Sequence, residues 1–186
     1  SQDEDCRRIV AETVAKWGRV DGLMNNAGTT QVVADNNLDS LSADDFLNIY
    51  SVNVVGAYQM TRAVAPHMKA QGRGSIVNTS SIAGVMGIGS SIAYAASKGA
   101  MNTMTLSLAR LLAPEIRVNA IAPGYIDTGM VAAVPDNVLE KIVAGIPVGR
   151  LGKAEEIARG VCFLVADDAG FITGSTLSIN GGQHMY

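Results

Sequence analysis

Hydrophobic positions along the chain follow two alternating periods. Ile9, Val10, Val14 and Trp17 recur three and four residues apart and predict a helix over 1–17. Asp3, Glu4 and Asp5 stand in its first turn, at the positive end of the helix dipole. The short apolar run Val20-Asp21-Gly22-Leu23-Met24 then ends abruptly at Asn25-Asn26-Ala27-Gly28, the pattern of a buried strand and a tight turn. Ser42-Ala43-Asp44-Asp45 can cap a long helix reaching about residue 71, where Gly72 stops it. Ser75 to Thr79 reads as a second strand, followed by a loop of small residues over 80–91. A helix over 92–112 stops before Pro114, and a third strand over 116–122 closes at Pro123-Gly124. Short helical structure around 137–144, a helix over 153–166 and a strand over 176–179 complete the chain.

Strands alternating with helices of this length predict an α/β fold with a parallel sheet buried on both faces. The 186 residues show no internal repeat or linker and read as one domain. They are 48% hydrophobic and 17% charged, with a net charge of -3 and no long block of like charge. That balance excludes a disordered chain and argues against a nucleic-acid or anionic-membrane partner. Cys6, Cys162, His67 and His184 have none of the usual zinc spacings. With no apolar run of membrane-spanning length and no secretory leader, a cytoplasmic location is expected.

Chemistry concentrates near the middle of the chain. Tyr94 and Lys98 are four residues apart on a predicted helix, and so share a face. An ammonium group there can favour the ionised phenol, bringing a side chain of pKa about 10 toward useful acid/base work. By itself Tyr-x-x-x-Lys is weak, since helices are full of such pairs. Ser81 adds to it, standing just past a predicted strand, where ligands of open α/β sheets bind. Asn25-Asn26-Ala27-Gly28 and Pro123-Gly124 end two other strands, so three strand ends bring small or polar residues to one sheet edge.

The phrases Asn25-Asn26-Ala27-Gly28, Val52-Asn53-Val54-Val55-Gly56, Ser80-Ser81, Tyr94-Ala95-Ala96-Ser97-Lys98, Arg117-Val118-Asn119, Pro123-Gly124 with Thr128, and Asn180-Gly181-Gly182 follow in order. In them the chain resembles the short-chain dehydrogenase/reductase family, whose fold is a Rossmann-like doubly wound sheet. The resemblance implies Tyr94 as general acid/base and Lys98 as the residue that lowers the phenol's pKa and binds the nicotinamide ribose. Ser81 would position the substrate oxygen, and Asn53 would hold the water of a proton relay. Asn26, Ala27 and Gly28 would approach the cofactor, with Pro123, Gly124 and Thr128 on its nicotinamide side. The implied cofactor is NADP or NAD, NADPH being slightly preferred, and the implied assembly a homotetramer packed through the helices of 42–71 and 92–112. From the residues alone, Asn53 reads equally as a helix residue satisfying a kink, and Asn26 as a turn former.

No glycine-rich nucleotide loop lies between a strand and a helix; Gly84-Val85-Met86-Gly87-Ile88-Gly89 sits beside the expected substrate site instead. The chain is therefore expected to begin before the fourth strand of the family fold, lacking its nucleotide-binding half. Met86, Ile88, Met130, Val131 and Val134 predict a mostly apolar substrate wall, suited to a ketone or secondary alcohol. The C-terminal stretch resembles 3-oxoacyl thioester reductases of the acetoacetyl-CoA type. Pro114-Glu115 replaces the arginine that carrier-protein reductases tend to carry there. The leading expectation is thus a nicotinamide-dependent oxidoreductase. The alternative is a truncated, non-catalytic domain acting through association, and a serine hydrolase is a distant third because no G-x-S-x-G elbow is present.

Overall fold

The structure, a computed structural model, describes residues 2–33, 37–129, 131 and 134–185. Four parallel strands, β1 (Gly22–Asn25), β2 (Gly74–Thr79), β3 (Ile116–Pro123) and β4 (Thr176–Ile179), pair in the order β1-β2-β3-β4. The register sets Asn25 beside Asn78, and Thr79 beside Ile121, so the strand ends lie level with one another. Every strand begins and ends within two residues of its place in the sequence pattern.

Helices cover both faces. On one, α1 (Asp3–Trp17), α3 (Ala57–Ala70) and α5 (Ile92–Leu112) enclose Val10, Val64, Met68, Ile76, Leu108, Ile116 and Val118. On the other, α7 (Ala154–Val165) packs Val161 and Leu164 against Val77 and Ile121. Because β2 and β3 are covered twice, they are buried almost throughout, Ser75, Asn78 and Asn119 included, whereas Met24 on β1 stays 42% exposed. Arg117 fastens α7 to the sheet, donating to the carbonyls of Leu164 at 2.7 Å and Ala166 at 3.0 Å. Those carbonyls end the helix and have no partner within it.

Two elements depart from the sequence pattern. The helix expected over 42–71 is three pieces: α2 (Ala43–Tyr50), a π-helical turn (Ser51–Gly56) and α3. Its start is as expected, since Ser42 and Asp45 cap each other reciprocally. Within the loop of 80–91, Ala83–Met86 forms a single turn, α4, ended by Gly87 at φ 69°. Residues 136–144 form α6 (Asp136–Ala144).

Candidate active site

Three strand ends and one helix face build the site. Ser91 caps α5 by accepting the Tyr94 N–H at 3.2 Å, which starts the helix at the turn that carries Tyr94 and Lys98. The chain leaving β2 supplies Ser81, whose hydroxyl accepts the Ala83 N–H at 3.1 Å and hydrogen-bonds the Tyr94 side chain. Lys98 is 3% exposed; its Nζ donates to the Thr79 carbonyl at 2.7 Å and lies 5.6 Å from the centre of the Tyr94 ring. Ser81, Tyr94 and Lys98 thus come together at the carboxyl edge of the sheet.

The electrostatics differ from the expectation. Burial pushes the Tyr94 phenol above its ordinary value, and the Ser81 hydrogen bond offsets this only in part. Burial also lowers the Lys98 ammonium to about 8, enough to leave most of it charged at neutral pH. The expected depression of the tyrosine by the lysine is therefore not found. Lys98 spends a hydrogen bond on a backbone carbonyl, and desolvation of the phenol outweighs an ammonium held at that distance.

Asn53 is bonded both to the loop after β1 and to α5. The π turn brings it inward, 1% exposed, where Oδ1 accepts the Thr29 N–H at 2.7 Å. Its Nδ2 donates to the Thr29 carbonyl at 3.0 Å and to the Ser97 hydroxyl at 3.0 Å. Three of the amide's four hydrogen-bonding positions are filled by protein, so the side chain acts as a clamp on the loop after β1.

Asn26, Ala27 and Gly28 are exposed at the end of β1, where Thr79 donates its hydroxyl to Asn26 Oδ1 at 3.4 Å. A Cβ on Gly28 would lie 3.5 Å from both Lys98 Nζ and Asn53 Oδ1. The backbone is therefore open above the buried ammonium, and these residues fit the ribose and nicotinamide end of a dinucleotide. Gly124 has a different reason to be glycine: a Cβ there would meet Asn180 at 3.0 Å and run into the Gln183 side chain. Pro123 accepts the Ile82 N–H at 3.1 Å, holding the two strand-end loops together. Thr128 is exposed, its hydroxyl 3.4 Å from the Ile126 carbonyl.

Of the expected substrate wall, Met86 and Ile88 are exposed at 38% and 57%, Val131 and Val134 are half-buried, and Met130 lies outside the described residues. Gly84, in the segment expected beside the substrate site, serves packing. A Cβ there would sit 2.6 Å from the Lys98 backbone, so the glycine lets α4 rest on α5. Ser97 stands between Tyr94 and Lys98 in the sequence, but nothing in the pattern there assigns it a role. Among the described residues there is no cluster of His, Cys, Asp and Glu able to hold a metal ion. No helix among them is long and apolar enough to cross a membrane.

A family model described as enoyl-(acyl carrier protein) reductase matches residues 1–184. A 3-oxoacyl-(acyl-carrier-protein) reductase of Thermotoga maritima is 40% identical over 180 residues, which are 96% of this chain and 72% of that protein. An acetoacetyl-CoA reductase of Rhizobium meliloti is 45% identical over 187 residues, 100% of this chain and 76% of the relative. A crystal structure described as a short-chain dehydrogenase/reductase from Burkholderia xenovorans superposes with a TM-score of 0.91 at 46% identity, over 98% of this chain and 72% of that one. The chain belongs to the short-chain dehydrogenase/reductase family. It is an oxidoreductase of that family, and the non-catalytic alternative is not favoured. Nor do the matches support the expected loss of half the fold or a start at its fourth strand: nearly the whole chain aligns, and it spans about three quarters of these relatives.

Proposed function

We propose that the protein reduces a ketone to a secondary alcohol with NADPH or NADH, and that its substrate is a 3-oxoacyl thioester of the acetoacetyl-CoA type. The observation that carries this reading is the Tyr94 phenol, hydrogen-bonded to Ser81, held protonated by burial and set beside the Lys98 ammonium. A phenol kept protonated is poised to give a proton, as reduction requires. The thioester rests on the reductases named above, and on the exposed apolar Met86 and Ile88 beside Ser81.

A reduced nicotinamide, when bound, supplies hydride to the carbonyl carbon. Asn26, Ala27 and Gly28 would receive its ribose end, where the absence of a Cβ keeps the approach to Lys98 open. Ser81 directs its hydroxyl to the carbonyl oxygen. Tyr94 passes its phenolic proton to that oxygen, and the phenolate left behind is stabilised by the Ser81 hydrogen bond and the nearby Lys98 charge. Asn53 holds the Gly28–Thr29 backbone in place throughout. Further parts of this reading are a homotetramer packed through α2, α3 and α5, and a cytoplasmic location.

The test is reduction of acetoacetyl-CoA, followed by loss of reduced-nicotinamide absorbance with each cofactor in turn. Tyr94→Phe should lower kcat by at least about 100-fold, the scale of a lost general acid, while the unfolding midpoint stays unchanged. Wild-type turnover by that variant would remove Tyr94 from the role. Activity on simple ketones but none on the thioester would keep the chemistry and overturn the substrate class.

A further inference from the structure

Ser97 stands between the two chemistry-bearing residues of α5, yet it faces neither of their side chains. Its hydroxyl donates to the Tyr94 carbonyl at 2.7 Å and accepts from Asn53 Nδ2 at 3.0 Å, with the residue 0% exposed. A helical serine bonding back to a carbonyl three residues earlier is ordinary and needs nothing from another element. The second bond is not ordinary. Asn53 belongs to the π turn between α2 and α3, and it grips Thr29 through both the N–H at 2.7 Å and the carbonyl at 3.0 Å. A continuous chain of hydrogen bonds therefore runs from the Thr29 backbone through Asn53 and Ser97 to the Tyr94 carbonyl. It ties the loop after β1 to the helix that carries the proton donor, and it sets Gly28 over Lys98.

We propose that Ser97 is a positioning residue: its hydroxyl latches the Gly28–Thr29 loop, through Asn53, to the Tyr94–Lys98 turn of α5. The effect on turnover rests on the oxidoreductase reading; the latch itself does not. Without the hydroxyl, Asn53 Nδ2 keeps only the Thr29 carbonyl, and the amide can rotate. The loop then loses its fixed distance from Lys98. Reactions that depend on such geometry fall by orders of magnitude when groups are misplaced by about 1 Å.

The experiment compares Ser97→Ala, Ser97→Thr, Asn53→Ala and the double variant Asn53→Ala/Ser97→Ala. Alanine is the better helix former, so Ser97→Ala should fold with an unfolding midpoint close to wild type. Its Thr29 amide should exchange hydrogen at least about 10-fold faster, because the acceptor that protects it is loosened. In acetoacetyl-CoA reduction its kcat should fall about 10-fold with KM for the thioester little changed. Ser97→Thr keeps the hydroxyl and should restore both. In the double variant the second substitution should add almost nothing to the first, as residues of one network are not additive. Unchanged Thr29 exchange in Ser97→Ala overturns the proposal, as does full additivity with Asn53→Ala. Faster exchange in a chain that reduces no ketone supports the latch while counting against the proposed reaction.

Discussion

At the residue scale, Tyr94 and Lys98 illustrate how spacing and environment supply different information. Their four-residue separation on one helix face was plain in the sequence, as was Ser81 at a strand end. The direction of their acidity was not, because burial belongs to neighbours brought in from β2 and the loop after β1. That burial leaves a stability signature. Lys98 titrates near 8 when folded and at its ordinary 10.5 when unfolded. Below about pH 8 both states carry the charge, and the folded state bears its desolvation. Between 8 and 10.5 the unfolded chain binds more protons, so stability rises with pH across that window. The full gain is about 3 kcal/mol, at 1.36 kcal/mol per pH unit. Above pH 10 the raised Tyr94 acts the other way, since the unfolded phenol ionises first. Urea unfolding at pH 7, 8, 9 and 10 should show this rise in the wild type and a flatter profile in Lys98→Met. Equal slopes would mean that Lys98 is not desolvated as described. The variant should be at least as stable as wild type at pH 7, yet lose turnover.

At the scale of elements, the strands and the helices α1, α5 and α7 could be read from the sequence because each depends on its own pattern of apolar residues and caps. The break in the long helix over 42–71 could not. Ser51 to Gly56 is compatible with ordinary helix, and the π turn depends on contacts from elsewhere: the Thr29 backbone against Asn53, and Asn25 Nδ2 reaching the Ala57 carbonyl at 3.4 Å. Asn25 also bonds Asn78 at 2.8 Å, and Asn78 bonds Thr105 at 2.9 Å, so a buried polar ladder crosses from α3 over two strands to α5. The role of α4 was likewise hidden. Glycines in its loop suggested a segment beside the substrate, whereas Gly84 allows backbone contact with α5. A Cβ at this position would meet the Lys98 and Gly99 backbone at 2.6 and 2.8 Å, and backbone inside a helix has little room to give. Gly84→Ala should therefore displace α4 and, with it, Ser81, destabilising the chain by about 1–3 kcal/mol, the usual cost of overpacking. Its kcat should fall more than its stability explains. A control exists in Gly129, where among the described residues no atom beyond its chain neighbours lies within 4 Å of an added Cβ. Gly129→Ala should leave the unfolding midpoint close to wild type, and a Gly84→Ala variant equally unperturbed would show that the α4–α5 contact can yield.

At the scale of the whole molecule, one group of exposed apolar side chains lies on the helices of 43–70 and 92–112. Phe46 and Leu47 on α2, Val55 in the π turn, Tyr58 on α3, and Leu106 and Leu111 on α5 are between 36% and 69% exposed. Leaving this many large apolar groups in water forgoes stabilisation that association would recover at about 25 cal/mol per Å². The same helices carry Tyr94, Lys98 and Asn53 on their inner faces, so a subunit contact there would also brace the site from behind. The edge of β1 offers a competing surface, since its unpaired side and Met24 could join another strand. The two possibilities separate cleanly. If the helices carry the contact, Leu106→Glu should lower the solution mass measured by light scattering during gel filtration, to half or a quarter of the parent value, while Met24→Lys leaves it unchanged. A parent already at the mass of one chain, or a mass that responds only to Met24→Lys, would overturn the helix interface. Circular dichroism on both variants should remain that of the parent, because each substituted side chain reaches the surface of the single chain and lies outside its buried core.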